Sequence, residues 1–114
     1  MPTVFVIGKD WTLRSLVRAE LRERGVEALG MESVDDAAQM LAQGTMPSAV
    51  VLDVTAGDPV AALGPLAGRV PVVIVASRAE ALPALAKTAA VLYKPVSVGE
   101  IVARVEHLLK GVAA

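Results

Sequence analysis

The 114-residue chain predicts an α/β domain, a parallel sheet covered by helices on both faces. Three observations carry that prediction. Short, mostly apolar runs recur at residues 3–7, 26–30, 49–54, 71–76 and 89–93, the third and fourth rich in Val. Most of them lack the apolar–polar alternation of a half-solvated strand, so they fit strands buried on both faces. Between and after them lie segments with helical apolar spacing, opened by capping side chains and closed by glycines. Five strands alternating with five helices make five βα steps, and right-handed crossovers leave few topologies for such a chain.

The elements follow in order. Residues 3–7, Thr-Val-Phe-Val-Ile, form a first strand closed by Gly8. Asp10 or Thr12 caps a helix running to about Arg24, with Leu13, Leu16, Val17 and Leu21 inward. Arg14, Arg18 and Arg22 make a stripe at spacing four, expected on the solvent side, and Glu20 pairs with Arg24 one turn on. Gly25 ends the helix as a left-handed cap. Residues 26–30 are a shorter, less apolar strand expected nearer an edge of the sheet. Ser33 opens a helix with Ala37, Ala38 and Leu41 inward and Gly44 as its stop. The buried run at 49–54 follows and delivers Asp53 to its carboxyl end.

Asp58-Pro59 then starts a helix that Gly64 and Pro65 interrupt, so it is expected to be short or broken. The run at 71–76 is another fully apolar strand. Ser77 with Glu80 makes a capping box, although Pro83 limits the regularity of that helix. The strand at 89–93 ends at Lys94-Pro95. Ser97 with Glu100 is a second capping box, opening an amphipathic helix that buries Ile101, Val105, Leu108, Leu109 and Val112.

Composition narrows the function. One domain spanning 1–114 is expected, with no output domain, because the last helix nearly reaches the carboxyl terminus. A hydrophobic fraction of 54% with 3% aromatic residues implies a core of Ala, Val and Leu. The net charge of −1, with basic and acidic residues interspersed, argues against a nucleic-acid partner. The absence of cysteine excludes disulfides, thiolate metal sites and thiol catalysis. Neither a secretory leader nor an apolar run near the roughly 18 residues of a membrane span is present, so a cytoplasmic protein is expected.

In an open parallel sheet, ligands bind in the crevice at the carboxyl ends of the strands, which is where Asp53 falls. The acid after the third strand, Lys94-Pro95 after the fifth, and the length of the chain together resemble the receiver domain of bacterial response regulators. The resemblance covers essentially the whole chain. It implies a flavodoxin-like (βα)5 fold, a doubly wound five-stranded parallel sheet of order 2-1-3-4-5. It also implies that Asp53 stands where a histidine kinase would place a phosphoryl group, with Lys94 beside that group. A carboxylate attacking a phosphoryl anion needs a cation to offset the developing charge. Receivers supply it as Mg²⁺, held by two adjacent acids after the first strand together with the phosphoacceptor.

Here the sequence departs from the resemblance. The acid-pair positions are occupied by Gly8 and Lys9, and Asp10, one place on, is the remaining carboxylate of that loop. Lys9 is positioned to pair with Asp53 itself. The hydroxyl expected after the fourth strand matches Ala76, with Ser77 next to it, and the switch aromatic matches Val91, with Tyr93 directly before Lys94. Ala56-Gly57 replaces the usual Met-Pro. The pattern is that of a receiver whose switch parts have been removed.

Each of these residues also has a plainer role. Asp53 is suited to cap a turn, Asp10 to cap the first helix rather than ligate a metal, and Ser77 to cap its own helix. Lys94 is either a surface lysine before a turn-forming proline or the salt-bridge partner of Asp53. Trp11 is expected to cover the start of the first helix, and His107 to be solvated. Two functions remain. One is a non-enzymatic interaction module of two-component signalling, a pseudo-receiver docking a histidine kinase or downstream effector. It needs no cofactor, holds Mg²⁺ at most weakly through Asp10 and Asp53, and is a monomer or weak dimer. The other is a phosphoacceptor modified on Asp53. Gly8-Lys9 favours the first.

Overall fold

The computed structural model describes residues 2–54, 63, 64, 66, 68–78, 82 and 89–113. Its strands are β1 (Thr3–Ile7), β2 (Glu27–Met31), β3 (Ala49–Asp53), β4 (Val72–Ala76) and β5 (Ala90–Tyr93). Its described helices are α1 (Trp11–Glu23), α2 (Val34–Ala42) and α3 (Val98–Ala113). The strands form one parallel sheet in the order β2-β1-β3-β4-β5, as the resemblance implied. Every residue of β3 and β4 is buried, which explains why those two segments read as unbroken apolar runs.

Side chains on the two faces of the sheet build two separate cores. On one face Val4, Val6, Val51, Val73 and Val75 pack with Val17 and Leu21 of α1 and with Ile101, Val102 and Val105 of α3. On the other, Phe5, Ile7, Val50, Leu52 and Ile74 pack with Val34 and Ala37 of α2 and with Leu63 and Leu66. The period-two alternation along each strand thus feeds both cores at once. Fully burying each Val, Leu, Ile or Phe side chain stabilises the fold by about 1.5–3 kcal/mol.

Local signals place the helix ends. Asp10 caps α1, its Oδ1 accepting the Leu13 N–H at 3.2 Å. Gly25 follows in the left-handed region at φ +80°, with its N–H donating to the Arg22 carbonyl and the Val26 N–H to that of Leu21. That pair of bonds is a Schellman closure, which satisfies carbonyls the helix end would leave orphaned. Gly44 closes α2 in the same way, at φ +92°. Ser33 caps α2 through the Asp36 N–H at 3.1 Å, and Ser97 caps α3 through the Glu100 N–H at 3.1 Å. The Glu20–Arg24 pair forms at 3.0 Å and extends to Glu106 of α3, and these two carboxylates, Glu20 foremost, raise the Arg24 pKa above its usual value.

Several expectations are corrected. Leu16 is 52% exposed rather than inward. Leu13, Val17 and Leu21 recur every four residues and already fill the stripe facing the sheet, and Leu16 lies a turn of about 100° away from Val17. Trp11 is 69% exposed, so it does not cover the helix start. Arg14 and Arg18 are half-buried rather than fully on the solvent side. The strand expected at 26–30 is shifted by one residue, to Glu27–Met31, and α1 stops one residue before Arg24. In α3, Ile101, Val102 and Val105 are fully buried while Leu108 and Leu109 are half-buried. The helix starting at Asp58-Pro59, apart from Leu63, Gly64 and Leu66, and the Glu80–Pro83 part of the next one, apart from Leu82, lie outside the described residues.

Candidate functional site

Parallel strands end together, so the sheet brings Gly8, Asp53, Ala76 and Lys94 to one edge. The register pairs Ile7 with Leu52, Asp53 with Val75, and Ala76 with Tyr93. The Val54 N–H donates to the Val75 carbonyl at 3.0 Å, and the Lys94 N–H to that of Ala76 at 2.9 Å. These two bonds carry the ladder one residue past the strands and hold the chain on either side of the crevice in place.

Asp53 is the last residue of β3 and is only 6% exposed, the one buried charged or polar residue among those described. A lone buried carboxylate is costly unless a charge or donors meet it. Lys94 meets it: its Nζ lies 2.9 Å from Asp53 Oδ1. The contact is an ion pair rather than a well-formed hydrogen bond, because that same Oδ1 has no partner in hydrogen-bond geometry. The Lys94 side chain is 41% exposed and the Asp53 side chain 8%, so the ammonium reaches down from solvent onto a carboxylate that cannot leave the sheet.

The β1–α1 loop forms the opposite wall. Gly8 is buried and its N–H bonds the Met31 carbonyl at 3.0 Å. Its backbone passes so close to β3 that a Cβ on Gly8 would stand 2.9 Å from Asp53 Cβ and 3.5 Å from Oδ2. Ordinary side-chain carbons do not approach a neighbour that closely, so this passage requires glycine. The Gly8 carbonyl accepts from the Arg14 guanidinium, which folds back over the loop from α1. Between loop and sheet there remains a cavity of about 10 Å³, lined by Gly8, Asp10, Leu13, Arg14, Val51 and Asp53 among others. That is the space of one water at most.

Lys9 and Asp10 are both exposed, and the Asp10 carboxylate is engaged as the α1 cap, the plainer of its two roles. Lys94, the second of the two lysines the sequence offered for Asp53, forms an ion pair with it. Among the described residues, no three of His, Cys, Asp and Glu come together as metal ligands do. Ala76 is fully buried and Ser77 half-buried beside it. On the far side, Val91 is half-buried against the core, and Tyr93 is 36% exposed with the Arg78 guanidinium 4.8 Å from its ring centroid. His107 is exposed, as expected. Sequence reasoning missed the closeness of Gly8 to Asp53 and the return of Arg14 to the loop. The glycine was visible, but its cause lies in the approach of two strands and not in its neighbours in sequence.

No protein-family model and no curated protein matches the chain. Solved structures do. A response regulator receiver protein from Burkholderia phymatum superposes with a TM-score of 0.80 at 28% identity, covering 96% of each chain. The receiver domain of Francisella response regulator 1452 matches at 0.78 and 21% identity, over 98% of this chain and 99% of its own. A protein described as belonging to streptococcal redox sensors evolved from two-component response regulators matches at 0.85 and 20% identity, over 99% of this chain and 53% of its own. Over nearly its whole length, this chain has the fold of a response-regulator receiver domain.

Proposed function

We propose that this chain is a two-component signalling module that acts by docking a protein partner, with Asp53 held at the phosphoacceptor position by Lys94 instead of by a metal. The observation that carries this reading is the wall opposite Asp53. A receiver needs two carboxylates there to hold Mg²⁺, and this chain has Gly8, pressed against Asp53 Cβ, and the cation Lys9. Asp10, the nearest other acid, is spent on the helix cap. The residues present do not fit Mg²⁺.

Protein docking is a use of the fold that needs no metal. The partner class is a histidine kinase or a downstream effector, the protein is not itself an enzyme, and its place is the cytoplasm. Among the described residues no helix is long and apolar enough to cross a membrane. The chain is a monomer or weak dimer. The streptococcal neighbour gives a precedent, in its own description, for a receiver fold turned to another signal. This chain has no cysteine, so a thiol sensor is not the signal here.

A second reading, phosphorylation on Asp53, is favoured by one observation: Oδ1 is buried without a hydrogen bond, beside a lysine, as a nucleophile awaiting a phosphoryl group would be. One experiment separates the two. The protein is incubated with acetyl phosphate, or with beryllofluoride, in the presence of Mg²⁺, and intact mass and amide spectra are followed. The docking module gives no adduct and no Mg²⁺-dependent shifts around Asp53. A stoichiometric adduct that disappears in Asp53→Asn overturns it.

A further inference from the structure

The arginine stripe of α1 does something that neither the fold nor the signalling role requires. Strand β2 lies at one end of the sheet, and among the described residues one of its sides has no neighbouring strand. The ladder to β1 runs from the Glu27 N–H on the Pro2 carbonyl to the Gly8 N–H on the Met31 carbonyl. In a parallel ladder alternate residues face the partner strand, so Glu27, Leu29 and Met31 bond β1 while Ala28 and Gly30 turn their peptide groups outward. An open edge of this kind is a template on which another strand can add.

The outward carbonyl of Ala28 is already taken. Arg18 Nε donates to it at 3.2 Å and Arg22 Nη2 at 3.4 Å, two residues one helical turn apart converging on a single acceptor. Arg18 gets there by lying across Gly30, where an added Cβ would stand 2.7 Å from its Cδ and 3.1 Å from its Nε. Glycine at position 30 therefore clears the path that the Arg18 stem follows to the edge. The arrangement crowds like charges: burial first, then Arg22 and Arg14, lower the Arg18 pKa from its ordinary value. A chain seeking only solubility would turn these guanidinium groups outward, apart from one another.

We infer that Arg18 and Arg22 guard the open edge of β2, occupying the outward carbonyl through which a second copy of this chain would add its own β2 strand. Charge-assisted donors make the occupation strong, and their long stems cover the outward face of Gly30 as well. The proposal does not depend on whether Asp53 is phosphorylated.

Two variants open the edge by different routes. Arg18→Ala with Arg22→Ala removes the donors; Gly30→Ala keeps every arginine and displaces the Arg18 stem. Both are compared with the unaltered chain by sedimentation across a concentration series and by hydrogen exchange at the Ala28 and Gly30 amides. The double variant is expected to self-associate at least about tenfold more tightly, and to gain concentration-dependent protection at those two amides. Gly30→Ala is expected to change both readouts in the same direction. Losing two arginines also relieves repulsion between the edges of two copies, and Gly30→Ala, which keeps both charges, separates that effect from the opening of the edge. Val17→Ala, which weakens the packing of α1 while keeping both arginines and Gly30, is the control for partial unfolding. Variants that stay as monomeric as the unaltered chain, or a Val17→Ala protein that associates equally, overturn the proposal.

Discussion

Replacing Lys94 with methionine keeps the stem and removes the ammonium, which leaves Asp53 as an uncompensated charge at the end of a buried strand. Removing one partner of a fully buried ion pair costs about 3–5 kcal/mol. Here the Lys94 side chain is 41% exposed while that of Asp53 is 8%, so water screens one half of the pair. The expected cost is therefore reduced to about 1–3 kcal/mol. With a urea slope of about 2 kcal/mol per molar, the unfolding midpoint falls by roughly 1 M. Asp53→Asn is not the mirror image. It replaces the buried charge by a neutral amide of the same shape and frees a half-exposed lysine to hydrate, at an expected cost of about 0–1 kcal/mol. In the Asp53→Asn background, Lys94→Met should then cost no more than about 0.5 kcal/mol, as surface substitutions do. The measurement is the double-mutant cycle by urea denaturation followed through Trp11 fluorescence or circular dichroism. Equal effects of Lys94→Met in the two backgrounds would falsify the assignment of Lys94 as the group that neutralises Asp53.

Other outcomes follow from the same structure. Lys9→Asp removes a cation from the loop and adds a carboxylate, so weak Mg²⁺ binding should appear, read by titration of the Trp11 signal two residues away; no gain of binding contradicts the placement of that loop. Gly8→Asp should lower stability by about 1–3 kcal/mol through overpacking against Asp53 Cβ, measured as a drop in the urea midpoint. Leu21→Ala, at a fully buried position under α1, should cost about 2–5 kcal/mol in the same assay. Glu106→Gln should change the midpoint only slightly, and the difference should vanish in about 1 M salt, where the Debye length is roughly 3 Å.

Most of the fold was legible because its signals are local. Unbroken valine runs mark strands buried on both faces, and the caps at Asp10, Ser33 and Ser97 and the stops at Gly25 and Gly44 depend on residues within a few positions of one another. Asp53 and Lys94 were legible as a pair because a parallel sheet brings strand ends together whatever the intervening chain does. What sequence did not reveal depends on three-dimensional approach. The spacing of Arg14, Arg18 and Arg22 says only that they share a helix face. That this face overhangs the β2 edge depends on how α1 crosses the sheet. Leu16 misled for a related reason, since an apolar residue adjoining a buried stripe reads as part of it until the packing partner is known.

The contact between Gly8 and Asp53 also imposes an order on change. An acid at position 9 can be introduced into an exposed site without moving the backbone, whereas an acid at position 8 collides with β3 at once. Introducing an acid pair into this chain therefore means altering Lys9 first and widening the gap between β1 and β3 before Gly8 can change. The intermediate steps carry a destabilised sheet and only part of a metal site. A single glycine, by letting two strands draw together, makes the two neighbouring positions unequal in what it costs them to accept an acid.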